Sequence, residues 1–178
     1  MASLEIIAAV IAAALIVIAA WQDFTTWKIR NWTVLALLAV YTLLALLRWL
    51  MPNYGLLEGA HGGIAASPPL YGDLAAGLLL FAIGFVLWAL KLFGAGDAKL
   101  FLPVGMFVGF NFLFPFGVAL AAGAVIVAVA LKFPIPLHYH VWPAAARVEE
   151  IRQTGKVPYG VLIAAAALFS MWLRFIGS

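Results

Sequence analysis

The chain has 178 residues, of which 67% are hydrophobic and 10% are charged, and its mean hydropathy is +1.13. Soluble domains are roughly 45–50% apolar and about 25% charged, so this composition excludes an ordinary water-soluble protein and predicts a polytopic membrane protein. The net charge of +3 comes from basic residues that form no patch, which argues against a nucleic-acid partner, and the absence of Cys excludes disulfides, a thiol nucleophile and Cys-ligated metal.

The apolar runs predict an all-α protein with six membrane-spanning helices in a single domain, residues 1–178. A helix of about 20 apolar residues crosses the hydrocarbon core of a bilayer. The predicted spans are 4–21, about 32–50, 73 to about 93, two short spans within 100–131, and about 159–176. The stretch 100–131 is too long for one ordinary crossing, and Asn111 and Pro115 predict the turn that divides it.

The distribution of Lys and Arg predicts the orientation in the membrane, because basic residues gather in cytoplasmic loops. Eight of the ten basic residues fall in three alternate loops, at about 22–31, 91–99 and 132–158, whereas Arg48 and Arg174 lie on the other side. Those three loops are therefore predicted to be cytoplasmic. Both termini and a loop at about 51–72 are predicted to lie outside the cytoplasm.

Two of the seven acidic residues lie at span ends on the same predicted side of the membrane. Asp23 follows the first span and Asp97 opens the fourth, so both are placed at the cytoplasmic boundary. Two carboxylates that share a site cannot both ionise cheaply, so one holds a proton near neutral pH. An aspartyl protease needs such a pair, since one carboxylate takes a proton from water and the other polarises the scissile carbonyl. Gly94 and Gly96 would let a substrate backbone approach closely.

Each of these residues also has a structural interpretation. Asp97 could be a helix N-cap, and Asp23 could be an interfacial residue paired with Lys28. The joint position of the two aspartates favours the catalytic pair. Lys99 could favour the ionised form of Asp97 or reach a lipid phosphate. Asp73 opens the third span on the opposite side and is expected to cap that helix.

Three short motifs surround these residues. Asp23 is followed by Lys28, Ile29 and Asn31, the string GAGDAKL occupies 94–100, and KVPYG occupies 156–160. They resemble the D-x-x-x-x-[KR]-I-P-N, GxGDxKL and K-[IV]-P-Y-G motifs of type IV prepilin peptidases, which are GxGD-type aspartyl membrane proteases. The chain is most similar to the short form from tight-adherence (Flp) pilus systems and to archaeal preflagellin peptidases. Arg30 stands where the family usually has proline.

The resemblance implies a protease of the inner (plasma) membrane, with its active site facing the cytoplasm, that removes the short basic leader of prepilins or pseudopilins. The residues implied are the catalytic pair Asp23 and Asp97, the supporting Gly94, Gly96 and Lys99, and the candidate substrate contacts Lys28, Asn31, Pro158, Tyr159 and Gly160. Membrane lipid and the pilus-assembly machinery are the other implied partners, and no metal or other cofactor is implied. Larger bifunctional members have a Cys-bearing cytoplasmic domain not seen here, so the resemblance implies peptidase activity and does not extend to N-methylation.

Two other functions remain open. A presenilin-like or signal-peptide-peptidase-like protease shares the GxGD motif but cuts within a membrane helix. Those proteins have a Tyr-Asp pair and more spans, whereas Gln22 precedes Asp23 here. A non-enzymatic carrier or pilus-assembly subunit could also hold aspartates at the membrane boundary, although a carrier is expected to place its acidic residues near the bilayer midplane.

Overall fold

A computed structural model of the chain describes residues 2–50, 69–132, 149–153 and 157–176. Helices are the only regular secondary structure in these residues. In chain order they are α1 (Ala2–Thr26), α2 (Asn31–Leu50), α3 (Pro69–Ala89), α4 (Ala95–Val108), α5 (Leu113–Ala130) and α6 (Tyr159–Ile176). Residues 149–153 are also helical. Most of the predicted loops at 51–72 and 132–158 lie outside the described residues.

The predicted all-α class is confirmed for this part of the chain, and four of its helical stretches are long and apolar enough to cross a membrane. They are Leu4–Thr26, Asn31–Leu50, Leu70–Ala89 and Phe110–Ala130. The apolar part of α6 is shorter, at Tyr159–Arg174. With 14 residues, α4 is about 21 Å long, less than the roughly 30 Å of a hydrocarbon core.

Several helices begin or end at residues that were predicted to lie in loops. α1 continues to Thr26, whose hydroxyl donates a hydrogen bond to the Gln22 carbonyl at 2.7 Å. α3 begins at Pro69, because proline fits the first turn of a helix, where no backbone N–H is needed. α4 begins at Ala95, within the predicted loop at 91–99, and Asp97, which was predicted to open this helix, lies in its first turn.

The predicted division of residues 100–131 into two helices is confirmed. α4 ends at Val108, and Gly109 follows with a φ of 79°, a conformation that favours glycine. A 3₁₀ turn at Phe110–Phe112, which contains Asn111, then leads into α5. Pro115 lies in the first turn of α5, where proline is tolerated.

The short helix α4 lies at the centre of the bundle, and ten of its 14 residues are buried. Glycines bring it close to α3: a Cβ atom on Gly77 would lie 2.7 Å from the Leu102 carbonyl oxygen, and one on Gly105 would lie 2.7 Å from the Gly77 Cα. By contrast, Phe116 is the buried residue of α5. Because the surrounding helices hold α4 in place, they also hold Asp97 in its first turn at a defined position.

A cluster of charged side chains joins the helices at the end of the bundle remote from Asp23 and Asp97. In this Asp73 cluster, the Asp73 carboxylate accepts a hydrogen bond from the Tyr41 hydroxyl at 3.0 Å and pairs with Arg48 at 3.5 Å and Arg174 at 3.1 Å. Arg48 also pairs with Glu5 at 3.0 Å. The two basic residues outside the predicted cytoplasmic loops are thus paired with acids.

The expected role of Asp73 as a helix cap is wrong. Asp73 is the fifth residue of α3, because the helix begins earlier than predicted, at Pro69. Its carboxylate is bound by side chains of α2 and α6 and is buried. Asp73 therefore links helices across the bundle.

Candidate functional site

Asp23 and Asp97 lie together at one end of the bundle, although 73 residues separate them in the sequence. Asp23 is in the last two turns of α1 and Asp97 is in the first turn of α4. Their exposed fractions are 5% and 7%, and Asp23 is near enough to act electrostatically on Asp97. We call these two residues the aspartate pair.

The local structure around Asp97 leaves one of its carboxylate oxygens available. Gly94 is the N-cap residue of α4, and its backbone N–H donates a hydrogen bond to the Asp97 carboxylate. A side chain in the first turn often bonds back to the N-cap N–H in this way. Oδ1 of Asp97 is buried and has no hydrogen-bond partner among the described residues. Helix capping therefore accounts for only one of the two oxygens.

Asp97 lies outside the four candidate spans, at the start of α4. The pKa of Asp97 is raised from 3.8 to about 7. Burial is the larger cause and the nearby Asp23 carboxylate is the second, whereas the hydrogen bond with Gly94 lowers the pKa. A carboxyl group with this pKa is partly protonated near neutral pH. The aspartate pair can therefore hold one acid and one base at the same time.

Asp23 is held by the start of α6. The Gly160 backbone N–H donates a hydrogen bond to Asp23 Oδ2 at 2.8 Å. Glycine is needed here, because a Cβ atom on residue 160 would lie 2.8 Å from both Cβ and Oδ2 of Asp23. A backbone N–H at a helix N-terminus favours a negatively charged acceptor, so this contact stabilises ionised Asp23. Gly160, a predicted substrate contact, thus touches the aspartate pair itself.

The other candidate substrate contacts near α6 lie beside an aromatic group. Pro158 is buried directly before the helix, and Tyr159 is its first residue. The Tyr159 ring centroid lies 4.4 Å from that of Phe93, which in turn stacks on Phe101 of α4 at 5.8 Å. These rings connect the starts of α6 and α4, the two helix ends that position Asp23 and Asp97.

The loop between α1 and α2 packs on the glycine turn that precedes Asp97. Ile29 of this loop is buried, and a Cβ atom on Gly96 would lie 3.3 Å from the Ile29 Cβ. Ile29 therefore makes the close approach at Gly96 that was expected of a substrate backbone. Lys99 Nζ donates a hydrogen bond to Asn31 Oδ1 at 3.4 Å, and Lys28 is exposed.

Sequence reasoning missed Gln22, the residue before Asp23. Its Oε1 atom accepts hydrogen bonds from the Arg30 backbone N–H at 3.0 Å and from the Thr33 hydroxyl at 3.1 Å. The signal in the sequence is a polar amide next to an acidic residue at the end of an apolar helix. Gln22 therefore connects the end of α1 to the start of α2.

Within the described ranges, no group of three or more His, Cys, Asp or Glu side chains is arranged to hold a metal ion. Comparison with known proteins finds no matching family model, no matching curated protein and no matching solved structure. The sequence motifs and the geometry of the aspartate pair are therefore the grounds for a function.

Proposed function

We propose that the chain is a membrane-embedded aspartyl endopeptidase that removes the short basic leader of type IV prepilins or related precursors at the cytoplasmic face of the inner membrane. The observation that carries the proposal is the aspartate pair: two buried carboxylates from α1 and α4, in electrostatic contact. Burying two like charges side by side costs folding free energy, and perturbed carboxylates of this kind concentrate at functional sites.

The environments of the two residues support different roles in peptide hydrolysis. Asp23, stabilised as an anion by the Gly160 N–H, takes a proton from water as the water oxygen bonds to the scissile carbonyl carbon. Asp97, which favours its protonated form, donates its proton to the carbonyl oxygen. When the C–N bond breaks, the proton held by Asp23 passes to the leaving amine and the proton on the carbonyl oxygen returns to Asp97.

The substrate class rests on the resemblance of the three motifs to those of prepilin peptidases. In the proposed arrangement all six helices cross the membrane and both termini lie outside the cytoplasm. The short length of α4 fits this arrangement, because a helix enclosed by its neighbours need not match the thickness of the lipid. Lys28, Lys91 and Lys99, all exposed, then lie on the cytoplasmic side together with the aspartate pair.

Co-expression with a prepilin tests this function. Asp23→Asn and Asp97→Asn should each lower the rate of leader removal by about 10²- to 10⁴-fold, because each removes a group that transfers a proton. The readouts are the gel mobility of the pilin and its N-terminal sequence by mass spectrometry. Glu149→Gln is the matched control: Glu149 pairs with Arg152 on the same helical segment, at 3.2 Å, and this variant should process normally.

Each result has a defined meaning. Full processing by either aspartate variant would overturn the proposal. A cut mapped inside the apolar helix of the substrate would favour a presenilin-like protease. If the wild-type chain leaves the prepilin uncut but is still required for pilus formation, the chain is a non-enzymatic assembly subunit.

A further inference from the structure

We propose that Gln22 is a positioning residue, which holds the α1–α2 loop against the glycine turn before Asp97 and so sets the relative position of the two aspartates. This inference rests on the proposed function. It assigns a role in the reaction to Gln22, which bonds to the Arg30 N–H and the Thr33 hydroxyl.

The first step is the bridge that Gln22 makes between two helices. A single atom, Oε1, accepts hydrogen bonds from residues eight and eleven positions further along the chain, the Arg30 N–H and the Thr33 hydroxyl. Thr33 is completely buried. Because an amide oxygen has two lone pairs, Gln22 Oε1 satisfies both donors at once.

The second step is that the loop adopts a backbone conformation that has to be held in place. Trp27, the residue directly after α1, has a φ of 57°, in the left-handed region that bulky residues rarely occupy. This conformation is unfavourable for a residue with a Cβ atom. The Trp27 backbone N–H supports it with a hydrogen bond to the Asp23 carbonyl at 3.0 Å. The bonds to Gln22 then fix the far side of the loop.

The third step links the loop to Asp97. Ile29 precedes Arg30, whose N–H is bound by Gln22, and packs directly on Gly96, which precedes Asp97. On the other side, Gln22 is the covalent neighbour of Asp23. Contacts therefore connect Gln22, which precedes Asp23, to Gly96, which precedes Asp97. Loss of the Gln22 acceptor removes the hydrogen bonds that hold the loop between them.

The chemistry of the two partners predicts which substitutions work. Both partners are donors, so position 22 needs an acceptor of the right length and has no need of the amide NH₂ group. Gln22→Glu keeps an oxygen in place, whereas Gln22→Leu removes it with little change in volume. Thr33→Val removes one of the two donors. Thr42→Val is its matched control, since in the described part of the chain the Thr42 hydroxyl bonds within α2, to the Leu38 carbonyl at 2.8 Å.

The first experiment measures kcat and KM for prepilin cleavage by the purified full chain in detergent. Gln22→Leu should lower kcat by about 10- to 100-fold with KM changed less than about 2-fold, because misplacing a catalytic group by about 1 Å costs rates of this order. Gln22→Glu should restore kcat to within about 3-fold of wild type, and Thr33→Val should fall between. Thr42→Val should match wild type.

The second experiment is independent of peptidase activity. Trypsin cleaves after Lys28 and Arg30, which are both exposed in the α1–α2 loop. Losing the two hydrogen bonds should speed cleavage there by at least about 10-fold in Gln22→Leu, and Gln22→Glu should reverse the effect. Equal trypsin rates in wild type and Gln22→Leu would overturn the inference whatever the activity.

The two proposals fail in different ways. If Asp23→Asn and Asp97→Asn process prepilin normally, the proposed function is wrong, and the trypsin rates still report on the loop. If those variants are inactive while Gln22→Leu keeps full kcat, the function stands and the inference about Gln22 is wrong. If both position-22 variants lose activity equally despite a wild-type trypsin pattern, Gln22 does not act by positioning the loop.

Discussion

Asp23 and Asp97 are chemically unlike although they share one site. Asp23 accepts a hydrogen bond from the Gly160 N–H at the start of α6, and this bond stabilises the ionised form of Asp23. Asp97 is buried, with Oδ1 lacking a hydrogen-bond partner in the described chain, and burial favours its neutral form. The pair is therefore expected to hold one proton near neutral pH, with burial raising the pKa of Asp97.

This difference predicts how stability depends on pH. The pKa of Asp97 is about 7 in the folded protein, above the 3.8 of an ordinary aspartate, so the folded state binds this proton more tightly. Its stabilising contribution is fully present below about pH 4 and is lost as the pH rises to about 7. Asp97→Asn should therefore be more stable than wild type at pH 8, by about 2–4 kcal/mol, and similar to it at pH 4.

Thermal unfolding in detergent between pH 4 and pH 8 measures this effect. Glu149→Gln should keep the pH dependence of the wild type, because its surface pair with Arg152 contributes little. Identical pH dependence in wild type and Asp97→Asn would contradict the raised pKa of Asp97.

Gly160 gives a second prediction at the residue scale. Gly160→Ala would place a Cβ atom 2.8 Å from Asp23 Oδ2, so the carboxylate has to move. We expect leader removal to slow by about 10- to 100-fold. Gly117→Ala is the matched control, since a Cβ atom there meets nothing within 4 Å. A normal rate in Gly160→Ala, measured in the co-expression assay, would show that this contact does not position Asp23.

The sequence identifies the two aspartates because acidic residues are rare in this apolar chain. It does not identify the contacts of Gly160 and Gln22. The hydrogen bond from Gly160 to Asp23 spans 137 positions, and the bonds of Gln22 depend on how the α1–α2 loop folds back. Contacts of this kind follow from tertiary packing, which no local motif encodes.

At the scale of the helices, the Asp73 cluster links α2, α3 and α6 at the end of the bundle opposite the aspartate pair. Asp73 is 5% exposed as a side chain and binds Arg48 and Arg174, while Glu5 adds a more exposed pair to Arg48. Arg174 also donates a hydrogen bond to the Phe107 carbonyl near the end of α4, at 2.9 Å. The cluster therefore helps to hold α4 in register with its neighbours.

Removing Asp73 should destabilise the fold. Asp73→Asn leaves Arg48 and Arg174 without their shared carboxylate, which should cost about 2–3 kcal/mol. This is less than the roughly 3–5 kcal/mol of a fully buried pair, because the two arginines are 17% and 27% exposed. Glu5→Gln should cost about 1 kcal/mol or less, since Glu5 is 20% exposed and glutamine keeps an acceptor. Unfolding titrations of both variants test the ranking, and equal losses would contradict it.

Most helices could be predicted from apolar length alone, and the predicted sixth span of about 159–176 coincides with α6. Helix ends were less predictable, because they depend on single residues such as Pro69 and Gly109. The residue at which α4 ends could not be read from an apolar stretch that continues through residue 131, although two short helices were predicted there. It follows from the turn at Gly109 and from close packing on Gly77.

At the scale of the whole molecule, the two ends of the bundle differ in how their basic groups are placed. At the end with the aspartate pair, Lys28, Lys91 and Lys99 are exposed. At the other end, Arg48 and Arg174 are paired with acidic side chains. The positive-inside rule counts Lys and Arg and gives little weight to acidic residues, so the three lysines against two arginines favour the proposed cytoplasmic position of the aspartate pair.

Labelling of substituted cysteines tests this orientation, and the absence of Cys from the chain removes the background. In intact spheroplasts, a membrane-impermeant maleimide should label Asn53→Cys, in the predicted external loop, but neither Lys28→Cys nor Lys91→Cys. The latter two should react only after lysis. Labelling of Lys28→Cys and Lys91→Cys in intact cells would place the aspartate pair outside the cytoplasm. Because a prepilin leader is on the cytoplasmic side before cleavage, the proposed function would then fail even if both aspartates were required for some other reaction.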